Sequence, residues 1–441
     1  MAGVRFDPAG PLRGSLRPPP DKSISHRAAI LAAMGEGETT IEGYLDAADT
    51  RSTLAAIRAL GAEVDGNGER LRVRGVGLRG AAPAAIDVGN AGTLLRLLPG
   101  WLAGQPEGEW ALDGDESIRT RPVDRIVRPL TEMGANLSAT DGRVPPLTVR
   151  GSALHGIEYR LPVASAQVKS CLLLAGLLAE GETTVVEPGP TRDHTERMLA
   201  AAGADVRIEP AGTPVALRGT LPGNRVSVRT AKRLALESLA IPADFSSAAF
   251  ALTAAVLTRG SEVTATGVGL NPTRIGLLGI LNRMGAAIEV TEGVPLGGEP
   301  RGSILARHGP PLAAVRVGAG EVPLAIDELP LVALLGCFAE GETHLTGAEE
   351  LRHKESDRIA TVVDGLRGLG AEVEATDDGF VVAGTGGIRG GVLDARGDHR
   401  LAMLGAVAGL ASAEGVEVRG FEAAAVSYPG FEDDLRTLAG S

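Results

Sequence analysis

The stretch Ile57 to Val64, IRALGAEV, closes an apolar helical pattern on a glycine and restarts at once as a strand. A glycine in that place suits the left-handed residue that ends a helix. Closely similar text returns as LTEMGANL (130–137), LAAAGADV (199–206), LNRMGAAI (281–288) and LRGLGAEV (366–373). The glycines are Gly61, Gly134, Gly203, Gly285 and Gly370, which by subtraction lie 73, 69, 82 and 85 residues apart. Such a period is too long for the common solenoid units and implies a larger repeat.

A second set of helices, each running through a turn into another strand, falls between these units: GEGETTIEGY (35–44), AEGETTVVEPG (179–189), RGSEVTATGVG (259–269), AEGETHLTG (339–347) and AEGVEVRGF (413–421). Each repeat therefore holds two helices and several strands. Six repeats are expected, the sixth truncated at FEDDLRTLAG (431–440) and completed by an N-terminal strand around Val4 to Phe6. Six imply two domains of three. Proline beside polar residues marks crossings at RPPPDK (17–22) and LALESLAIPADFSS (234–247). The expected domains are a continuous 22–238 and a second one made of 1–21 and 239–441.

Composition narrows the function. With 44% hydrophobic and only 3% aromatic residues, the cores are aliphatic and the chain is a globular one. Its N-terminal text, MAGVRFDPAGPLRG, has no apolar run of the signal-peptide kind, and the longest apolar runs, CLLLAGLLA and LPLVALLGCFA, fall far short of a membrane span. A cytosolic protein that binds no membrane is expected. Cys171 and Cys337 lie inside those runs and are expected as buried free thiols. No His/Cys cluster suggests a metal, and no cofactor is expected. A net charge of −12 argues against nucleic-acid binding. Small anions need only a local basic pocket. Of 43 basic residues just four are lysines, Lys22, Lys169, Lys232 and Lys354, so positions that keep a compact ammonium stand out.

Helix starts collect the chemistry. The first helix of each repeat opens on PDKSISHR, GNAGTLLR, ASAQVKS, PADFSSAAF, AIDELPLV or GDHRLAM. Ser, Asn and Asp there are good caps, but capping does not explain Lys22, Arg27, Arg96, Gln167, Lys169, Asp327, His399 and Arg400. Cations at the positive end of a helix are disfavoured unless an anion offsets them, so these residues point to phosphate or carboxylate binding. The second-helix starts IRTRPVDR, TRDHTERM and LRHKESDRI add Arg119, Arg121, Arg192 and His194, and the run Arg352 to Ile359. If that last run is helical, Lys354 and Arg358 share a face and clamp one anion, with Glu355 about 100° around from Lys354. A solvated face of alternating charge is the plain alternative.

DKSISHR, GNAGTLLR, SAQVKS, DELP, KESDR and GDHRLAM, in this order from Lys22 to Met403, resemble the successive motifs of the 5-enolpyruvylshikimate-3-phosphate synthase family. The resemblance implies an α/β fold, the two-domain inside-out α/β barrel, each domain of three repeated units with helix N-termini facing an interdomain cleft. It implies transfer of the enolpyruvyl group of phosphoenolpyruvate to the 5-hydroxyl of shikimate 3-phosphate, releasing phosphate, through a tetrahedral intermediate. By similarity Lys22, Ser23, Arg27, Ser165, Gln167, Arg192, Asp327 and Lys354 hold shikimate 3-phosphate. Lys22, Gly92, Arg121, Gln167, Arg358 and Arg400 hold phosphoenolpyruvate. Asp327 and Glu355 are the acid/base pair, with Lys22 and Lys354 beside them as catalytic residues. A monomer acting on these small molecules is expected. ASAQVKS with TRDHTE resembles the branch noted for glyphosate-tolerant members. Members of the family take glyphosate in the phosphoenolpyruvate site, and tolerance in some is associated with Ala at the position of Gly92; Gly here implies sensitivity.

Three positions depart from the family pattern. Ala166 stands where many relatives carry Ser, and Leu97 where others have Pro. No lysine precedes Tyr428-Pro429. The sister activity, UDP-N-acetylglucosamine enolpyruvyl transfer, fits less well, since that enzyme typically has Lys-Asn where Lys22-Ser23 stand and a reactive loop cysteine. A noncatalytic repeat scaffold would lack the pair Asp327 and Glu355.

Overall fold

The computed structural model describes residues 3–211 and 222–440. The chain divides into two compact units. The first is Pro20–Pro242 with Pro295–Glu299, and the second is Met1–Pro19, Ala243–Val294 and Pro300–Ser441. Residues 1, 2, 212–221 and 441, which fall within the domain limits expected from sequence, lie outside the described residues. The sequence carried no sign of the short return at Pro295–Glu299. There Glu299 Oε1 lies 2.7 Å from Nδ1 of the buried His194, and Gly298 accepts from Arg197.

One plan recurs within both units: strand, helix, parallel strand, helix, then an antiparallel hairpin. In the first unit the helices are α1 (Lys22–Met34), α2 (Ala48–Ala59), α3 (Gly92–Ala103), α4 (Asp124–Glu132), α5 (Ala166–Gly176) and α6 (His194–Ala201). In the second they are α7 (Phe245–Leu257), α8 (Gly276–Arg283), α9 (Leu329–Phe338), α10 (Arg358–Gly368), α11 (His399–Ala411) and α12 (Phe431–Ala439). The middle repeat of the first unit shows the register: Ala84–Asp87 runs parallel to Glu109–Asp113, which pairs antiparallel with Val144–Arg150, itself paired with Asn136–Thr140. Five of the six repeats form such a four-stranded sheet among the described residues. The sixth has three strands, Val4–Phe6 pairing antiparallel with Val416–Arg419, so the N-terminal strand completes it as expected.

The repeat glycine has a conformational reason. Gly61, Gly134, Gly203, Gly285 and Gly370 all have φ between 79° and 100°, and Gly440 closes the sixth repeat at 73°. L side chains rarely adopt that region, which is why this letter persists while its neighbours vary.

The first helix of each repeat is the interior element. All thirteen residues of α7 are buried, as are eleven of α1 and twelve of α11. A helix apolar on every side must be wrapped, and the sheets do so. The result is an inside-out α/β barrel in each unit. Each fully buried Leu, Val or Phe contributes about 1.5–3 kcal/mol, so a charge at Leu334 in α9 would disrupt the second unit. Cys171 and Cys337 are free and buried, and burial raises both thiols, Cys337 to about 12. No helix of the described residues is long and apolar enough to cross a membrane.

Candidate active site

Burying the body of a helix while leaving its first turn polar puts that turn's side chains at one end of each unit's interior. In the first unit, Asp21 caps α1 by accepting from the Ile24 amide at 2.8 Å. Lys22 then opens the helix, its Nζ 3.0 Å from Asp49 Oδ2. One turn on, Arg27 is buried and donates to Thr195 Oγ1 (2.8 Å), Ser170 Oγ (3.1 Å) and the Ser23 carbonyl (3.0 Å). Arg192 reaches Ser23 Oγ at 3.3 Å. Burial first, then Arg192, lower the Arg27 guanidinium to about 10. This is a cation whose hydrogen bonds go to neutral oxygens.

Beside it, α3 packs on α5. Arg96 donates to Gln167 Oε1 at 3.2 Å, and Gln167 donates to Thr93. Ser165 caps α5 through the Val168 amide. Arg121 donates to Asn90 Oδ1 at 2.5 Å and to Ser117. A Cβ on Gly92 would stand 2.8 Å from Arg121 Nη1 and 3.1 Å from Arg96 Nη1. The glycine leaves room for both guanidinium groups over the start of α3.

Lys169 does not join them. Its ammonium is buried in the unit, 2.8 Å from Glu187 and 2.5 Å from Glu196, and so is an internal ion-paired residue rather than part of an anion site. Burial pulls Glu196 upward against the attraction of Lys169. Sequence could not show which side of α5 faces inward.

In the second unit the cations meet carboxylates. Arg358 donates from Nε to Asp398 Oδ2 (2.8 Å), from Nη1 to Asp327 Oδ1 (3.2 Å), and from Nη2 to Glu355 Oε2 (2.6 Å) and Asp398 Oδ1 (3.3 Å). Four of its five N–H bonds are thus used. Burial alone would lower this guanidinium, but Asp398, Glu355 and Asp327 outweigh it and raise it. Arg400, in the first turn of α11, lies 3.8 Å from Asp327 and 3.6 Å from Glu328. Asp398 caps that helix and Ser356 donates to it.

The helical clamp expected of Lys354 and Arg358 is overturned. Helix α10 begins only at Arg358, because Asp357 caps it by accepting from the Ala360 amide at 3.1 Å. Lys354 and Glu355 precede the cap, after a short 3₁₀ turn at Glu349–His353. Glu355 meets Arg358 directly instead of standing around a helix from it. Burial lowers the Lys354 ammonium and outweighs the pull of Asp327 and Glu350, with Arg358 adding to the lowering.

Arg274, Glu328 and the buried Asp398 of this cluster were not among the site residues expected from sequence. Arg274 lies 3.6 Å from Asp327, 3.4 Å from Glu328 and 3.5 Å from Asp244, and the fully buried Glu328 also accepts from Ser246. Burial raises the Glu328 carboxyl against Arg274 and Arg400. The signal for Arg274 was present: Asn271-Pro272-Thr273-Arg274 repeats the Gly189-Pro190-Thr191-Arg192 text one unit away. Among the described residues no group of three His, Cys, Asp or Glu is arranged to hold a metal.

Comparison with known proteins identifies relatives of this architecture. A family model described as EPSP synthase (3-phosphoshikimate 1-carboxyvinyltransferase) matches residues 6–435. A 3-phosphoshikimate 1-carboxyvinyltransferase of Thermus thermophilus is 49% identical over 443 residues, covering 99% of each chain. One of Methylococcus capsulatus is 47% identical over 435 residues, covering 98% of this chain and 96% of the relative. Among solved structures, EPSP synthase of Acinetobacter baumannii superposes with a TM-score of 0.85 at 40% identity, over 100% of this chain and 98% of that one.

Proposed function

The chain belongs to the EPSP synthase family and is an enolpyruvyl transferase of the shikimate pathway, and from that premise we propose how its two polar clusters divide the reaction. Shikimate 3-phosphate is held by Lys22, Ser23, Arg27, Ser165, Gln167 and Arg192, together with Asp327 and Lys354. Phosphoenolpyruvate is held by Lys22, Gly92, Arg121, Gln167, Arg358 and Arg400. Since one N–H of Arg358 remains uncommitted, its contact to the donor uses that N–H and its charge. The absence of a hydroxyl at Ala166 leaves Ser165 as the serine of that turn.

The observation that carries this reading is that Asp327 and Glu355 share one guanidinium, Arg358 Nη1 and Nη2 respectively. Addition requires the 5-hydroxyl to lose a proton as its oxygen bonds to C2 of the enol, while C3 gains a proton. Elimination then takes a proton from C3 as the C2–O bond to phosphate breaks. Two carboxylates held at a fixed separation supply acceptor and donor, and cations neutralise the phosphate that leaves. Lys354, lowered by its surroundings, sits beside them as a cation. The enzyme works in the cytosol as a monomer, without a cofactor.

Mixing the enzyme with phosphoenolpyruvate and either shikimate 3-phosphate or UDP-N-acetylglucosamine, and measuring phosphate release, tests this reading. Release with shikimate 3-phosphate alone is expected. Release only with the sugar nucleotide would overturn the acceptor, and none with either would overturn the catalytic assignment.

A further inference from the structure

The acid/base reading leaves Arg274 and Glu328 unused, although they are among the least accessible charged side chains of the second unit, at 3% and 0% exposure. A buried charge costs heavily unless something needs it in place. Arg274 is delivered by a tight local device. The Asn271 side chain accepts from the Thr273 amide (2.9 Å) and hydroxyl (2.7 Å), fixing the turn that aims Arg274 inward. Immediately after it, Gly276 opens α8 so close to the short helix Val322–Ala325 that a Cβ would stand 2.8 Å from the Leu324 backbone. That close approach seats the turn beside Asp327, two residues past the short helix.

The side chains then interlock. Asp327 is divided between cations: Oδ1 takes Arg358, and Oδ2 faces Arg274 at 3.6 Å and Arg400 at 3.8 Å. Glu328 Oε1 lies between Arg274 and Arg400 and accepts from Ser246, while its Oε2 is buried with no hydrogen-bond partner among the described residues. The two guanidinium groups that face Asp327 Oδ2 are thus tied to each other through Glu328. We infer that Arg274 and Glu328 are positioning residues: Glu328 bridges Arg274 to Arg400, and Arg274 holds the Asp327 carboxylate where it accepts the substrate proton. The inference rests on Asp327 being that acceptor. Neither residue touches substrate in this account. They act through Asp327 and Arg400.

Arg274→Gln, Glu328→Gln, the double variant, Arg274→Lys and Asp327→Asn test it by steady-state phosphate release, each first checked for folding by thermal unfolding. Arg274→Gln is expected to lower kcat roughly ten- to hundredfold, the scale of a misplaced catalytic group, with a smaller change in KM for shikimate 3-phosphate. It should also move the acid limb of the kcat profile to higher pH, because a carboxylate ionises less readily when a neighbouring cation is lost. The charges that face Asp327 include Arg274, Arg358, Arg400, Lys354 and Glu328, and Arg274→Gln changes only the first of these. Arg274→Lys should restore the limb and part of kcat. Glu328→Gln should lower kcat less, and the double variant should lose less than the product of the two. Should Arg274→Gln not fold, the isosteric Glu328→Gln carries the test through kcat. Unchanged kcat in folded variants, or a double variant that loses the full product, would overturn the inference. Asp327→Asn separates the two claims. If it is inactive while Arg274→Gln is normal, only the inference fails; if it turns over normally, the acceptor reading falls and the inference with it.

Discussion

Arg27, in the second turn of α1, and Arg358, at the start of α10, are both buried arginines, yet burial ends in opposite electrostatic outcomes. Arg27 bonds to two hydroxyls and a carbonyl and is lowered to about 10, so its charge is poorly compensated. Arg358 bonds to three carboxylates and is raised. A guanidinium held by neutral oxygens keeps its charge available to an incoming anion. One bonded to three carboxylates spends most of it on fixing their positions and, on the proposed reading, keeps one N–H for the donor. On the proposed reading the first unit serves recognition, while the second adds the proton-exchanging carboxylates to its own substrate-binding cations, although both clusters are rich in arginine.

The largest effect should come from the carboxylates. Glu355→Gln keeps size and the proximity to Arg358 but removes proton exchange, and turnover measured at saturating substrates is expected to fall about a hundredfold or more. Near-normal turnover in a folded variant would erase the distinction between the units.

Lys22→Met is expected to raise KM for phosphoenolpyruvate by roughly tenfold or more, the scale of a lost charge-assisted contact. The Lys22–Asp49 pair adds a second consequence. Asp49 would keep a carboxylate of 8% side-chain exposure without its cation, so thermal unfolding should show a loss of about 1–3 kcal/mol. A variant with unchanged KM would remove Lys22 from the anion site.

Gly92→Ala sharpens the comparison from the recognition side. The new methyl would meet Arg121 and Arg96 at the far ends of flexible side chains, so they shift rather than the backbone. The wild type is expected to be inhibited by glyphosate competitively with phosphoenolpyruvate. The variant should require several times more glyphosate, with a smaller rise in KM, since the longer ligand depends more on the displaced space. Inhibition titrations at fixed phosphoenolpyruvate check both, and a wild type as resistant as the variant would defeat the argument.

The smallest effect concerns pH. Because burial lowers Lys354, its charge is lost at a pH below the ordinary lysine range, and affinity for the anionic substrates should weaken as pH rises through that lowered value. Lys354→Arg should move the weakening to higher pH. An identical alkaline limb in the two proteins would remove Lys354 from substrate binding.

Much of this was legible because the repeat sets a phase. The glycines at 61, 134, 203, 285 and 370 mark where each helix ends, and the polar starts then follow in order. Asp327 stood out against aliphatic neighbours and Glu355 within the charged run Arg352 to Ile359, and the resemblance to the family gave both their proposed roles. Local geometry was less legible. Whether Lys354 was helical depended on which residue capped α10, and Asp357 rather than an earlier residue does so. Lys169 looked like Lys22 in text, but the helix face it occupies is set by tertiary packing. Glu328 was hidden beside Asp327 because adjacent carboxylates give no sign of which one is buried. Pro295–Glu299 had no signal because its place depends on a partner far away in sequence, His194.

The most direct test of the division between the units is a paired kinetic measurement of Arg27→Gln and Asp327→Asn, varying shikimate 3-phosphate at saturating phosphoenolpyruvate. Arg27→Gln should raise KM for shikimate 3-phosphate by roughly tenfold or more while keeping most of kcat, whereas Asp327→Asn should lose kcat by about a hundredfold or more. The opposite pattern, with kcat lost at Arg27 and only KM raised at Asp327, would contradict the account.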